Sequence, residues 1–223
     1  MNAKLFFQAV IKFLLGVLIV GTLLFLPAGS FSFPNGWLFM ALLFVPMFLA
    51  GIVMMILNPD LLQKRLRAKE SDREQSLVIK LSGLMFLAGF VTAGLHCRFQ
   101  WFSLPRPVVI IASAVFLLSY VLYAEVLREN TYLSRTIEVQ ENQSVIDTGL
   151  YGIVRHPMYA VTLLLFLSMP LILGSLYSFL IFLAYPFIIA KRIRNEEAFL
   201  EQNLVGYREY EKKVKYRLIP FIW

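Results

Sequence analysis

Cysteine occurs once, at Cys97, and histidine twice, at His96 and His156. One thiol cannot form an intrachain disulfide, and these three side chains alone do not make a metal site of the Cys/His kind, so no structural metal is expected. Charge is scarce too: Asp, Glu, Lys and Arg make up 16% of the chain, where a soluble domain carries about 25%. The net charge of +7 resides in basic residues scattered between apolar runs, not gathered on a soluble stretch, which excludes the nucleic-acid binder that such a charge would otherwise suggest. No G-x-G-x-x-G occurs, and "GLYG" at Gly149–Gly152 does not replace it, so a Rossmann-type cofactor domain is excluded as well. Internal repeats, low-complexity tracts and a soluble segment long enough to fold alone are all missing.

What fills the chain is hydrocarbon. Hydrophobic residues are 59% of it and the mean hydropathy is +0.70, the composition of an integral membrane protein surrounded by lipid. A hydrocarbon core of about 30 Å takes about 20 helical residues to cross. Four segments suffice: Leu5 to Leu26, Gly36 to Leu57, Leu77 to His96 and Val108 to Leu127. The first is longer than a signal-peptide core and lacks a convincing small-residue cleavage site, so it is expected to stay as a span. The apolar stretch from Tyr159 to Ala190 as one helix would reach roughly 48 Å, too long even when tilted. Pro170, Gly174 and Ser175 interrupt it, which predicts a helical hairpin of two arms, each on the order of 15 residues.

The basic residues test this topology. If the hairpin enters and returns, Lys4, Lys12, the cluster from Lys64 to Lys80, Arg128, Arg135, Arg155 and the residues from Lys191 to Arg217 all share one side. Only Arg98 and Arg106 then face the other side, and both termini and the site are expected to be cytoplasmic. The expected location is the cytoplasmic membrane if the chain is bacterial and the endoplasmic reticulum if it is eukaryotic. Around "QENQ", Ile137, Val139 and Val145 alternate with polar residues, which suits a short hairpin or extended lid at the interface. The tail places Tyr207, Tyr210, Val214 and Arg217 on one helical face and reads as an amphipathic helix on the membrane surface. The predicted fold class is all-α: a polytopic membrane bundle of four long spans, a C-terminal helical hairpin and an amphipathic cytoplasmic tail helix. Residues 1–128 form the four-span region and 129–223 the region that carries chemistry.

The hairpin returns "KRIRNEEAFL" (Lys191 to Leu200) to the same edge as "YGIVRHPMY" (Tyr151 to Tyr159). Arg192 and Glu196 are an i, i+4 pair, whereas Glu196 and Glu197, adjacent on a helix, cannot use the same face. Glu125 and Glu129 end the fourth span, and His96 with Cys97 sits at the far end of the third as a structural pair.

These blocks resemble the isoprenylcysteine carboxyl methyltransferase family and its phospholipid methyltransferase relatives, best from about Asn130 to Trp223. Gly149, Tyr151, Arg155-His156-Pro157 and Tyr159 match its hairpin-opening motif; Arg192 with Glu196 and Glu197 match its closing motif; Gly206, Tyr210, Val214 and Pro220-Phe221-Ile222 match its tail. Leu150 departs from the proline of many bacterial members. The resemblance implies that S-adenosylmethionine binds at Gln140, Tyr151, His156, Tyr159 and Glu196. It places Arg155, Arg192 and Glu197 near the reacting atoms, with a lipophilic acceptor entering from the bilayer. A carboxylate acceptor, ionised from a pKa of about 3.5, needs no base and suits arginine; an amine acceptor must lose a proton, with Glu197 as the candidate base. A phospholipid N-methyltransferase, an NADPH-dependent membrane sterol or enone reductase, whose C-terminal region also carries "RHP-x-Y", and a non-catalytic membrane protein are the alternatives.

Overall fold

The computed structural model describes residues 3–66, 73–133 and 139–223. Its helices are α1 (Ala3–Ala28), α2 (Pro34–Leu57), α3 (Pro59–Leu66), α4 (Arg73–Phe99), α5 (Arg106–Glu129), α6 (Pro157–Ile172), α7 (Leu176–Phe182), α8 (Tyr185–Asn203) and α9 (Tyr207–Lys213). No strand occurs among the described residues, only an isolated bridge between Ser103 and Ser175. The protein is an all-α, multi-pass membrane bundle. Helices α1, α2, α4 and α5, together with the stretch from Leu176 to Asn203, are long and apolar enough to cross a membrane. Each predicted span lies inside one of the first four, and the observed helices run two to four residues further at each end, except that α2 ends at Leu57 as expected.

Proline sets several of the starts. Pro34, Pro107 and Pro157 stand in the first turn of α2, α5 and α6, where their missing N–H costs nothing. The hairpin turns where the sequence breaks: Gly174 has φ +74°, and a Cβ there would lie 2.7 Å from Asn35 Nδ2. Its first arm, α6, has 16 residues, about 24 Å of rise, short of a full crossing. The second arm corrects the expectation of two matched short arms. It does not stop at Ala190 but breaks at Leu183 and Ala184, ahead of Pro186 in the first turn of α8, and then continues to Asn203.

In lipid there is little hydrophobic drive between helices, so close packing and polar contacts hold the bundle. Helix α1 lies along α4, α4 carries α7 and α8, and α5 pairs with α6. Glycine permits the tightest of these approaches. A Cβ on Gly94 of α4 would stand 2.4 Å from the Leu24 carbonyl oxygen of α1, and one on Gly89 would meet the Phe182 ring at 2.2 Å. Phe39, Phe90, Phe116 and Phe182 fill the centre, while Phe7, Ile11, Leu14 and Leu18 of α1 point outward as a lipid-facing stripe.

The predicted interfacial hairpin is a turn in its described part. The Gln143 N–H donates to the Gln140 carbonyl and Asn142 takes φ +58°. Ile137 and Arg135 lie outside the described residues, as do Arg67 and Lys69. The tail helix is shorter than expected, seven residues, and its apolar face is turned to protein: Tyr207, Tyr210 and Val214 pack on Val139, Val145, Leu200 and Leu204. Beyond it the chain runs extended, and the carbonyls of Tyr216 and Arg217 accept from the N–H groups of Arg155 and His156, each at 2.9 Å.

Candidate active site at the hairpin mouth

Two polar clusters form where α6 begins and α8 ends, and α8 supplies both. Glu197 faces inward. Its Oε1 accepts from Arg155 Nε at 2.8 Å and from His156 Nε2–H at 3.2 Å, and its Oε2 accepts from Arg217 Nε at 2.6 Å. Arg155 also donates to the Val214 carbonyl at 3.0 Å, and Glu211 Oε1 lies 3.6 Å from its Nη2. The Arg155 and Glu197 side chains are 7% and 3% exposed, so every charge in this latch is compensated inside the protein. The latch ties the tail to the mouth of the hairpin.

One residue earlier, Glu196 faces the other way. Its Oε2 accepts from Tyr159 Oη at 2.5 Å, and the same hydroxyl accepts from Arg192 Nε at 2.8 Å, with the guanidinium 5.9 Å from the ring centre. The i, i+4 pair of the sequence is thus bridged by a tyrosine from the opposing arm. Beside it opens a cavity of about 100 Å³, bordered by Asn130, Tyr151, Tyr159, Arg192, Glu196 and Tyr207 together with the loop Gln143–Ile146. Asn130 Nδ2 donates to Tyr151 Oη at 3.1 Å, and Tyr210 Oη donates to the Tyr151 carbonyl at 2.7 Å. Burial raises the phenols of Tyr151, Tyr207 and Tyr210 well above their ordinary value, so all three remain neutral.

The turn that presents Tyr151 has its own brace. Glu129 Oε2 accepts from the Leu150 N–H at 3.0 Å, and a Cβ on Gly149 (φ +51°) would lie 1.3 Å from Glu129 Oε1. A side chain there would be strained by the left-handed φ and would push the Glu129 carboxylate off the Leu150 N–H.

Of the residues singled out by sequence, Tyr151, Tyr159, Arg192 and Glu196 border the cavity. Arg155, His156 and Glu197 form the latch behind it, although the His156 ring stacks against Tyr159 with centroids 5.7 Å apart. Gln140 is set apart in its turn, donating to the Tyr132 carbonyl at 2.6 Å. Sequence reasoning missed Asn130, Ser144 and, above all, Tyr207, which it treated as a membrane anchor. The available signal was the spacing of Tyr207, Tyr210 and Val214, which marks a buried face without saying what buries it.

The segment that supplies most of the cavity runs from α5 through α8. Residues 107–205 match the phospholipid methyltransferase family. That family contains the isoprenylcysteine carboxyl methyltransferases, so the match agrees with the resemblance carried by the hairpin motifs. The chain is also similar to mouse (Mus musculus) Delta(14)-sterol reductase, 31% identical over 91 residues, which are 40% of this chain and 22% of that protein. The chain thus spans about a fifth of that relative's length.

The donor set fits the cofactor of methyltransferases on three counts. A carboxylate, Glu196, and tyrosine faces can hold an amine or a sulfonium cation. A guanidinium, Arg192, can hold a carboxylate. The Tyr207 hydroxyl is buried without a hydrogen-bond partner, as expected of a polar site that takes a polar ligand. The cavity is small beside the roughly 300–1,000 Å³ of most ligand sites, so it accommodates only part of a nucleoside-sized molecule.

Proposed function

We propose that the protein is an S-adenosylmethionine-dependent methyltransferase acting on a lipophilic acceptor at the membrane interface, the acceptor being a carboxylate of the isoprenylcysteine type. The observation that carries this reading is the charge of the cavity. Among the described residues on its border there is one guanidinium, Arg192, and one carboxylate, Glu196, set among tyrosine rings. The carboxylate and ammonium of a zwitterion match that pair one for one, and the tyrosine rings can face the added sulfonium charge. NADPH, with its three phosphate groups, calls for several cations and no carboxylate.

The cofactor, when bound, supplies an electrophilic methyl group. Against it, Glu196 and the rings of Tyr151 and Tyr159 hold positive charge, and Arg192 is the group that orients a carboxylate, whether of cofactor or acceptor. An acceptor carboxylate is already ionised at neutral pH, so the protein has only to align it and exclude water. Arg155 and Glu197 neutralise each other within the latch, which supports a positioning part for both. For an amine acceptor, as in phospholipid N-methylation, Glu196 is the carboxylate that faces the cavity and Glu197 has its oxygens engaged. The clustering of basic residues supports a cytoplasmic site, with the acceptor's tail left in the bilayer.

The reductase reading has its own support in the similarity to a sterol reductase. One experiment separates the two. Calorimetric titration of detergent-solubilised protein with S-adenosylhomocysteine and with NADPH, repeated on an Arg192→Ala, Glu196→Ala double variant, should show binding of the former alone and its loss in the variant. Binding of NADPH alone would establish the reductase reading, and neither ligand binding to folded protein would remove both.

A further inference from the structure

We propose that Tyr207 is a ligand-binding residue, its hydroxyl hydrogen-bonding a polar atom of the cofactor, so that the tail completes a cavity built by the hairpin. The identity of that ligand rests on the methyltransferase reading above.

Tyr207 opens α9 directly after Gly206, whose φ of +87° is a left-handed turn that glycine makes without strain. The turn folds the tail back so that the Tyr207 ring borders the cavity, 4% exposed and 5.8 Å from the ring of Tyr210. Its hydroxyl has no partner. The other tyrosines on the border are all satisfied: Tyr132 donates to the Asn142 carbonyl, Tyr151 accepts from Asn130, Tyr159 donates to Glu196 and Tyr210 donates to the Tyr151 carbonyl.

A phenylalanine would fill the same space without the cost of stripping water from a hydroxyl that gains no bond in return. The hydroxyl is therefore an expense of the empty protein that a bound ligand offsets. Its surroundings fit a polar ligand, with Glu196 on the same border and Glu197 and Glu211 close enough to act on the phenol electrostatically. Tyr207 lies beyond residues 107–205, so the family match does not reach it.

The test is Tyr207→Phe in the full-length, detergent-solubilised protein, read by thermal unfolding of the empty form and by titration with S-adenosylhomocysteine. The empty variant should unfold at the same or a higher temperature than wild type, while its affinity for S-adenosylhomocysteine should fall on the order of tenfold, the worth of one hydrogen bond to a polar ligand. A lower unfolding temperature would mean that the hydroxyl bonds within the protein and would overturn the proposal. So would unchanged affinity in the variant beside normal binding by wild type. If wild type binds NADPH instead, the methyltransferase reading fails and a tenfold loss of NADPH affinity in the variant upholds Tyr207 as a ligand contact. Neither ligand binding to folded wild type would overturn both.

Discussion

Glu196 and Glu197 are neighbours in the chain, yet they belong to regions of opposite design. In the latch, three donors meet the two oxygens of Glu197, the guanidinium of Arg155 is shared with backbone carbonyls, and little is left to offer a ligand. In the cavity, Glu196 has one hydrogen-bonded tyrosine, Arg192 stands beside it, and the Tyr207 hydroxyl has no partner. A satisfied buried network holds one geometry, whereas an incompletely satisfied one keeps interactions in reserve for a ligand. The same helix serves both because consecutive residues point about 100° apart around it.

This contrast breaks down if the latch residues prove dispensable for folding. Glu197→Ala leaves Arg155 buried without its hydrogen-bonded counter-charge, with only Glu211 at 3.6 Å beside it, and should cost about 3–5 kcal/mol, seen as a large fall in unfolding temperature in detergent. Glu196→Gln, by contrast, should leave stability within about 1 kcal/mol of wild type while weakening S-adenosylhomocysteine by about tenfold or more, because it removes a charged acceptor from the cavity. Equal losses of stability in the two variants would erase the distinction. Gly149→Ala sharpens the boundary between the regions: its Cβ collides with Glu129 at a left-handed φ, so about 1–3 kcal/mol of stability should be lost, with Tyr151 displaced and binding weakened. The smallest effect belongs to an exposed pair. Lys213 Nζ lies 2.5 Å from Asp147 Oδ2, and its hydrogen bond and charge hold the Asp147 carboxyl below its usual value. A depressed acid stabilises the fold above its unfolded value near 3.9 and loses that contribution as the pH falls through its folded one. Lys213→Ala should therefore lower stability slightly at neutral pH, and its difference from wild type should vanish as the pH falls through the folded value of Asp147, which unfolding followed from neutral pH into acid checks.

Much of the architecture could be read directly. Leu5–Leu26 and the three later spans follow from apolar length, and the turn at Gly174 follows from residues that cannot continue a helix. The divergence of Glu196 and Glu197 follows from helical geometry, although which of them meets the ligand does not. Arg155 and His156 look alike by sequence as members of one site, but their partners come from Glu197, Val214 and the Arg217 carbonyl, about 40 to 60 residues later. Tyr207 reads as an interface anchor because aromatic and basic residues alternate there, and that pattern is the same whether lipid or protein covers the ring.

The sequence by itself determined that this chain crosses the membrane several times, that its fold is helical, and that its polar motifs meet at one edge of a hairpin. Those properties depend on local length, periodicity and backbone chemistry, which each segment carries within itself. Only the tertiary structure decided that the hairpin's second arm breaks at Leu183 and Ala184 and continues as α8 to Asn203, that the tail packs on protein, and that Glu197 is sealed while Glu196 opens on a cavity. Those outcomes depend on which distant groups arrive to satisfy a buried charge or hydroxyl, and partners that far apart in the chain leave no local trace in it.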